Sequence, residues 1–496
     1  MNKLFEKYKE MMFKISSYEL ALRTASLDAQ VIAPVKGSNY RNERLSYLEG
    51  ELYSLQTDEE FFKLINELIN CEDLDEQNKA ILKWQLKDLK KKRCLPKQFC
   101  IDFSKLQMES QQNWEKAKQN NDYKIFEPYL IEIIAKTKEI IKYRQNELSG
   151  YDILLDDYEP GMDQNKYDVF FDQIKEKIVP LIHKISQTKQ IDDSFIFKKY
   201  PIEQQKELMN KILNYIGFDF DAGVLMESEH PFTDSLSKYD TRITTHYYEN
   251  NLISSIYSVI HEAGHANYYY SIRDDIATTY CYDNMSSGMH ESQSRLFENY
   301  LGRNYHFWDS LFPQMKQLFP EQLNSIEQID FVRAANKSIP SLIRTEADEL
   351  TYPLHILIRY EIEKGLFNDS IDPRNLEEIW NAKYKEYLGL TVENASDGIL
   401  QDVHWSDGSF GYFPTYALGS SYAAQFMHYL NKDVNVDECL ANNQFYVIED
   451  WLAQHIHQYG GLYLPEKQIE IACGEKFNPQ YYVDYLLQKY SQLYNL

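Results

Sequence analysis

Turn-forming residues are scarce in this chain. It has 18 glycines and 15 prolines in 496 residues, little more than half of the roughly 12% that average usage supplies. Hairpins consume such residues and helices do not, so the sequence predicts many helices and few strand pairs. The same scarcity excludes a collagen-like repeat, a proline-rich spacer and a glycine–serine low-complexity chain. Apolar residues make up 43%, enough to fill a large core.

The formal net charge is −24. A nucleic-acid partner calls for a basic face that displaces counterions from phosphates, and an anionic membrane surface calls for the same, so neither partner is expected. The densest basic run, KDLKKKR from Lys87 to Arg93, reads as the solvated face of a helix. The first twenty residues carry a charge every few positions and no apolar h-region, so no secretory signal is expected. No apolar stretch approaches the ~18 residues needed to span a bilayer. The six cysteines (Cys71, Cys94, Cys100, Cys281, Cys439 and Cys473) are far apart and form no CxxC pair. They read as reduced thiols of a cytoplasmic protein. The 40 tyrosines read as compositional bias on helix surfaces rather than as a sugar-binding lining.

At roughly 150 residues per domain the length allows about three domains. Yet no linker divides the chain and no repeat is visible. We therefore expect one domain over residues 1–496, with a mainly helical part (1–220), a motif-bearing stretch (221–430) and C-terminal helices (431–496). The expected fold class is mostly α, a single large helical body with a small antiparallel sheet. Phe61, Phe62, Leu64, Ile65, Leu68 and Ile69 recur at helical spacing, as do Ile131, Ile134, Ile140 and Ile141. Residues 165–215 read as a helix pair broken at Tyr200-Pro201. The β-branched and aromatic run Arg242–Tyr248 suits a strand. Asn250-Asn251 follows as a turn or cap, and Leu252, Ile256, Val259, Ile260 and Ala263 then mark a helix of about twenty residues. Residues 340–364 read as a helix with Pro340 in its first turn, Gly365 as its stop and Pro353 kinking or splitting it. Residues 398–419 read as a structured loop, and 449–496 as helices.

The helix beginning at Leu252 carries His261-Glu262-Ala263-Gly264-His265, an HExxH pattern. Positions i and i+4 share one helix face, so two imidazoles there reach one metal ion at ~2.0–2.1 Å. Glu262, one position along, is turned toward the open coordination position, where it can take a proton from the attacking water. A third ligand is needed. The metzincin continuation requires Gly and His where this chain has Tyr268 and Ser271, so that class is excluded. A glutamate on a following helix is the alternative. The stretch from Met289 to Gly302 is such a helix, with Glu291 and Glu298 seven apart on one face. Spacing does not choose between them, and each also reads as an ion-pair partner, Glu291 of Arg295 and Glu298 of Arg295 or Arg303.

Five ordered segments carry a resemblance: HPFT (230–233), DTRIT (240–244), HEAGH (261–265), MHESQSR (289–295), and IRTEAD (343–348) followed by GILQDVHWSDGSFGYFPTYALG (398–419). Together with APVKG (33–37), they resemble the carboxypeptidase Taq family of metallocarboxypeptidases over nearly the whole chain. The one departure is Thr24–Ala29, where a Trp-Asp pair is expected. The resemblance implies Glu291 as third ligand beside His261 and His265, with Glu262 as general base. It implies one divalent metal per chain, zinc or cobalt, and a deep active-site groove over it. It also implies a homodimer, and release of single residues from the C-terminus of peptides with broad specificity. A gluzincin oligopeptidase or dipeptidyl carboxypeptidase shares the HExxH…Glu site and is the alternative. A scaffold with a vestigial site would have lost a ligand or the base, and this chain has all four.

A carboxypeptidase must recognise a free carboxylate, which the planar guanidinium fork of arginine binds with two hydrogen bonds. Arg242 in DTRIT and Arg344 in IRTEAD are the candidates, unless Asp240 or Asp348 pairs with them instead. The DTRIT strand could also take the substrate backbone by β-addition. His404, Tyr412 and Tyr416 are donors of the right type for the oxyanion, with Tyr412 ahead of Tyr416, which also stands as a substrate contact. Glu346 and Asp348 are candidates to accept the second N–H of the ligating histidines.

Overall fold

The computed structural model describes residues 3–145 and 148–496. The chain is 69% helical, and among the described residues one three-stranded sheet accompanies the helices. It folds into two compact units, each assembled from three separate stretches. The first comprises Met1–Cys94, Lys198–Met285 and Asn443–Tyr463; the second comprises Leu95–Phe197, Ser286–Asn442 and Leu464–Leu496.

In the first unit, the helices Lys3–Val31, Ser38–Gln56, Glu59–Ile69 and Glu76–Arg93 follow one another. Phe61, Leu64, Ile65 and Leu68 are all buried, and they meet Tyr8, Ile15, Leu82 and Leu89 in one apolar cluster. Asp58 and Asp75 cap two of these helices by accepting from the N–H groups of Phe61 and Asn78. The basic run ends the fourth helix, where cations suit the negative end of the helix dipole. There Arg93 also donates to the Thr57 carbonyl at 2.6 Å.

The sheet has strands β1 (Gly223–Glu227), β2 (Thr233–Ser237) and β3 (Asp240–Thr245) in the order β1-β3-β2. β2 and β3 pair antiparallel, while β1 and β3 pair parallel. The sheet is therefore mixed, not antiparallel as expected. The chain reverses after β1 and again after β2, so β3 regains the direction of β1 and inserts between the two earlier strands. With a neighbour on each side, β3 has no free edge, which rules out β-addition of a substrate onto DTRIT. The helix Leu252–Tyr270 follows, burying Leu252, Ile256, Val259, Ile260, Ala263 and Ala266.

In the second unit, Ser287–Arg295 is α-helical and continues as a π-helix, Leu296–Leu301, that ends at Gly302. Tyr352–Phe367 is a helix with Pro353 in its first turn. Proline is tolerated there because that N–H has no helical partner, so the expected helix from Pro340 is not formed and Pro353 starts a helix rather than kinking one. Gly365 lies inside this helix, against Ile371, and is not its stop. The structured loop ends at Tyr412; Phe413–Asp433 is a long helix with Pro414 in its first turn. No two of the six cysteines form a disulfide, and no helix among the described residues is long and apolar enough to cross a membrane.

Candidate metal centre

Helical geometry places His261 and His265 one turn apart, with ring centroids 5.0 Å from each other. Glu262 is 6% exposed. Its carboxylate accepts from the Thr233 hydroxyl of β2 at 2.6 Å. Glu291 comes from the helix Ser287–Arg295, whose N-terminus is fixed twice. Ser286 Oγ accepts from Met289 N at 3.1 Å, and the buried Glu159 carboxylate accepts from Gly288 N at 2.8 Å, from Ser286 Oγ at 3.1 Å and from Tyr422 Oη at 3.0 Å. Burial pushes the Glu159 carboxyl up to about 7, against those donors. The ligand atoms of His261, His265 and Glu291 all lie within 4.8 Å of one another. Two imidazoles and one carboxylate at that spacing fit a single divalent ion of the zinc or cobalt kind.

Around Glu291 the second unit gathers several of the predicted side chains. Arg295 Nε donates to Glu291 Oε1 at 2.7 Å and its Nη1 to Glu298 Oε2 at 3.1 Å. Its guanidinium also lies over the Tyr352 ring, 4.4 Å from the centroid. The Tyr352 hydroxyl lies 3.3 Å from Arg344 Nη1. Arg344, 6% exposed, reaches Asp402 through Nε at 2.9 Å and Nη2 at 2.8 Å and covers the Tyr416 ring at 5.1 Å. Asp402 also accepts from the fully buried Arg359 at 2.7 Å. Burial opposes ionisation of Asp402, but the two guanidiniums hold its carboxyl well below the usual range. His404 Nε2 is 3.4 Å from Tyr416 Oη, and the Tyr412 and Tyr416 rings are 5.1 Å apart. Burial pushes both phenols up, so they stay protonated and able to donate. Burial and Arg344 push His404 down to about 4, leaving it neutral near pH 7.

The remaining candidates are placed differently. Arg242 lies on β3 in the first unit with its fork spent on Asp240, Nε at 2.9 Å and Nη2 at 3.0 Å. The partner of Arg344 is Asp402, not Asp348. Asp348 accepts from the N–H groups of Ile339, Leu350 and Thr351 and so organises a turn. Glu346 is exposed. Asp348 thus spends its carboxylate on backbone N–H groups, and Glu346 sits on the short 3₁₀ turn Arg344–Glu346.

The family model for the carboxypeptidase Taq (M32) metallopeptidases matches residues 7–490. The chain belongs to that family. As an M32 member it is a metallocarboxypeptidase, a hydrolase that uses a divalent metal. Carboxypeptidase 1 of Bacillus subtilis (strain 168) is 40% identical over 494 residues, 99% of each chain. Thermostable carboxypeptidase 1 of Thermus thermophilus is 34% identical over 485 residues, 95% of each. Among solved structures, the M32 carboxypeptidase from Deinococcus radiodurans R1 has a TM-score of 0.97 at 29% identity, covering 100% of both chains. Trypanosoma cruzi metallocarboxypeptidase 1 has a TM-score of 0.93 at 32% identity with the same coverage.

The ion pairs of Glu291 with Arg295 and of Glu298 with Arg295 and Arg303, read from their spacing, are all formed. Two other features of this M32 site escaped the sequence reading. Asp402 and Arg359 carry opposite charges 43 residues apart, with no spacing rule to join them. The bond from Thr233 to Glu262 spans 29 residues and gave no local signal.

Proposed function

We propose that this metallocarboxypeptidase releases single amino acids from the free C-terminus of peptides with broad specificity, through His261, His265 and Glu291 as metal ligands and Glu262 as general base. The observation that carries the reading is the approach of those three ligand atoms within 4.8 Å beside a buried glutamate adjacent in sequence to one of them. Bound there, zinc (or cobalt in its place) supplies Lewis acidity toward the scissile carbonyl and makes water more acidic. Glu262 takes the proton of the attacking water and hands it to the leaving amine. Tyr412, backed by Tyr416 and His404, donates to the developing oxyanion; a neutral imidazole and protonated phenols suit that task. Arg344 and Arg242 are the partners for the substrate carboxylate, each engaged in the free protein through Nε and Nη2 by an aspartate, Asp402 and Asp240, for which the substrate carboxylate must compete. The reading includes a homodimer in the cytoplasm, as the family resemblance and the thiol-only cysteines suggest.

A timed mass-spectrometric digest of an N-terminally blocked nonapeptide, with zinc, with cobalt and with chelator, tests this. The expected result is a ladder losing one residue at a time from the C-terminus, abolished by chelator. Dipeptide release or internal cuts would overturn the single-residue reading. Glu262→Gln should keep its metal and lose nearly all turnover; activity within tenfold of wild type would overturn the role of the base.

A further inference from the structure

A carboxylate that acts as a base works best when its two oxygens are distinguished, one held and one presented to the proton it takes. The Thr233 hydroxyl is 2.6 Å from Glu262 Oε2 and 3.2 Å from the Glu262 carbonyl oxygen. The shorter contact is a charge-assisted hydrogen bond. Thr233 opens β2, an edge strand with a ladder on one side only, so its position must be fixed by other means. The residue before it is tied to β3: Phe232 N donates to Thr244 Oγ1 at 2.9 Å, and Phe232 O accepts from Thr244 N at 2.9 Å. The residue after it, Asp234, points to the opposite face of the strand. There it accepts from Arg23 Nε of the N-terminal helix at 3.1 Å. The same guanidinium reaches Asp283 through Nη1 at 2.9 Å. The strand end that carries the hydroxyl is thus held from both sides.

We infer that Thr233 is a positioning residue for Glu262: its hydroxyl holds one carboxylate oxygen so that the other faces the water of the reaction. This rests on Glu262 being the general base. A purely structural role, in which the β-branched side chain only fills space at the strand start, makes a different prediction, because valine fills the same space without a hydroxyl.

The test compares Thr233→Val, Thr233→Ser and Glu262→Gln in the zinc-loaded enzyme. Thr233→Val should lower kcat by about tenfold to a hundredfold, the usual range for a second-layer partner, with KM and zinc stoichiometry unchanged. Thr233→Ser, which restores the hydroxyl, should recover most of the loss. In the metal-free protein, Thr233→Val should lower the unfolding midpoint, and the effect should vanish in the Glu262→Ala protein. Should Thr233→Val fail to fold, Thr233→Ala takes its place against Thr233→Ser. Equal losses in the valine and serine variants, or a wild-type kcat in Thr233→Val while Glu262→Gln is inactive, would overturn the positioning role alone. Near wild-type turnover in Glu262→Gln would overturn the underlying reading of the base.

Discussion

Replacing Gly419 by alanine should weaken metal binding more than it weakens the fold. Gly419 lies in the helix Phe413–Asp433, where that helix crosses the one carrying Glu291. A Cβ at this position would lie 2.7 Å from Glu291 Cβ, 2.8 Å from its Cγ and 3.1 Å from its carbonyl carbon. Carbon atoms in contact settle at about 3.5–4.0 Å, so Glu291 must retreat by close to 1 Å. The atoms met are the root of the side chain and its backbone, which cannot swing aside as a flexible tip would. Overpacking of this kind costs about 1–3 kcal/mol, offset by about 1 kcal/mol from the better helix propensity of alanine. The net loss of stability is therefore about 0–2 kcal/mol. A metal site tolerates ligand displacements of only about 0.2 Å, so zinc affinity should fall at least tenfold, about 1.4 kcal/mol. Competition with a chromophoric chelator measures this directly. Gly50→Ala is the control, since nothing beyond its own stretch of helix lies within 4 Å of its Cβ position and the substitution should leave zinc affinity untouched. Zinc affinity of Gly419→Ala within twofold of wild type would refute the argument that helix contact fixes Glu291.

Other expected outcomes follow from the buried charges and the core. Burial pushes Glu159 and Glu363 up to about 7, above the 4.5 of an ordinary glutamate. Their folded forms hold protons more tightly than the unfolded chain, so their contribution is fully present below pH 4.5 and is lost as the pH rises through about 7. At about 1.36 kcal/mol per pKa unit this is up to roughly 3 kcal/mol for each group. Glu159→Gln should flatten the fall in denaturant midpoint between pH 5 and 8, and an unchanged slope would contradict the assignment. Arg344→Ala should raise KM for peptides with a free C-terminus by about tenfold or more, while a C-terminally amidated competitor should bind as it does to the wild type. Phe61→Ala, at a fully buried position, should cost about 3–5 kcal/mol, read as a lower denaturant midpoint.

The parts of the fold legible in the sequence are those set by local pattern. The helix Leu252–Tyr270 was readable because Leu252, Ile256, Val259, Ile260 and Ala263 repeat at its period, and β3 because Ile243, Thr244 and Thr245 are β-branched. β1 and β2 were not readable. Leu225 and Met226 favour no strand over a helix, and Asp234, Ser235 and Ser237 are turn formers that pair only because β3 is present. Pro353 shows another limit: proline is compatible with a helix start and with a kink, and only the turn organised by Asp348 decides between them. At the site, HEAGH announced itself by spacing, whereas Asp402 between Arg344 and Arg359 depends on tertiary placement that no one-dimensional rule encodes. Nor did composition mark where the chain passes from one compact unit to the other.

That alternation sets a timetable for synthesis. The first unit needs its last stretch, Asn443–Tyr463, to satisfy groups placed hundreds of residues earlier. The Trp84 indole donates to the Leu462 carbonyl at 3.1 Å, Asn267 donates to Glu449 at 2.6 Å, and Gly461 N donates to the Cys281 carbonyl at 2.8 Å. A ribosome adding about 5–20 residues per second takes roughly 20–90 s to reach that stretch. The second unit closes only with the final helix, Gln480–Tyr494. Neither unit can be completed before its last stretch is made, so the nascent polypeptide carries unfinished apolar surfaces until Asn443–Tyr463 and then Leu464–Leu496 have been added, and premature termination before residue 443 leaves neither unit finished.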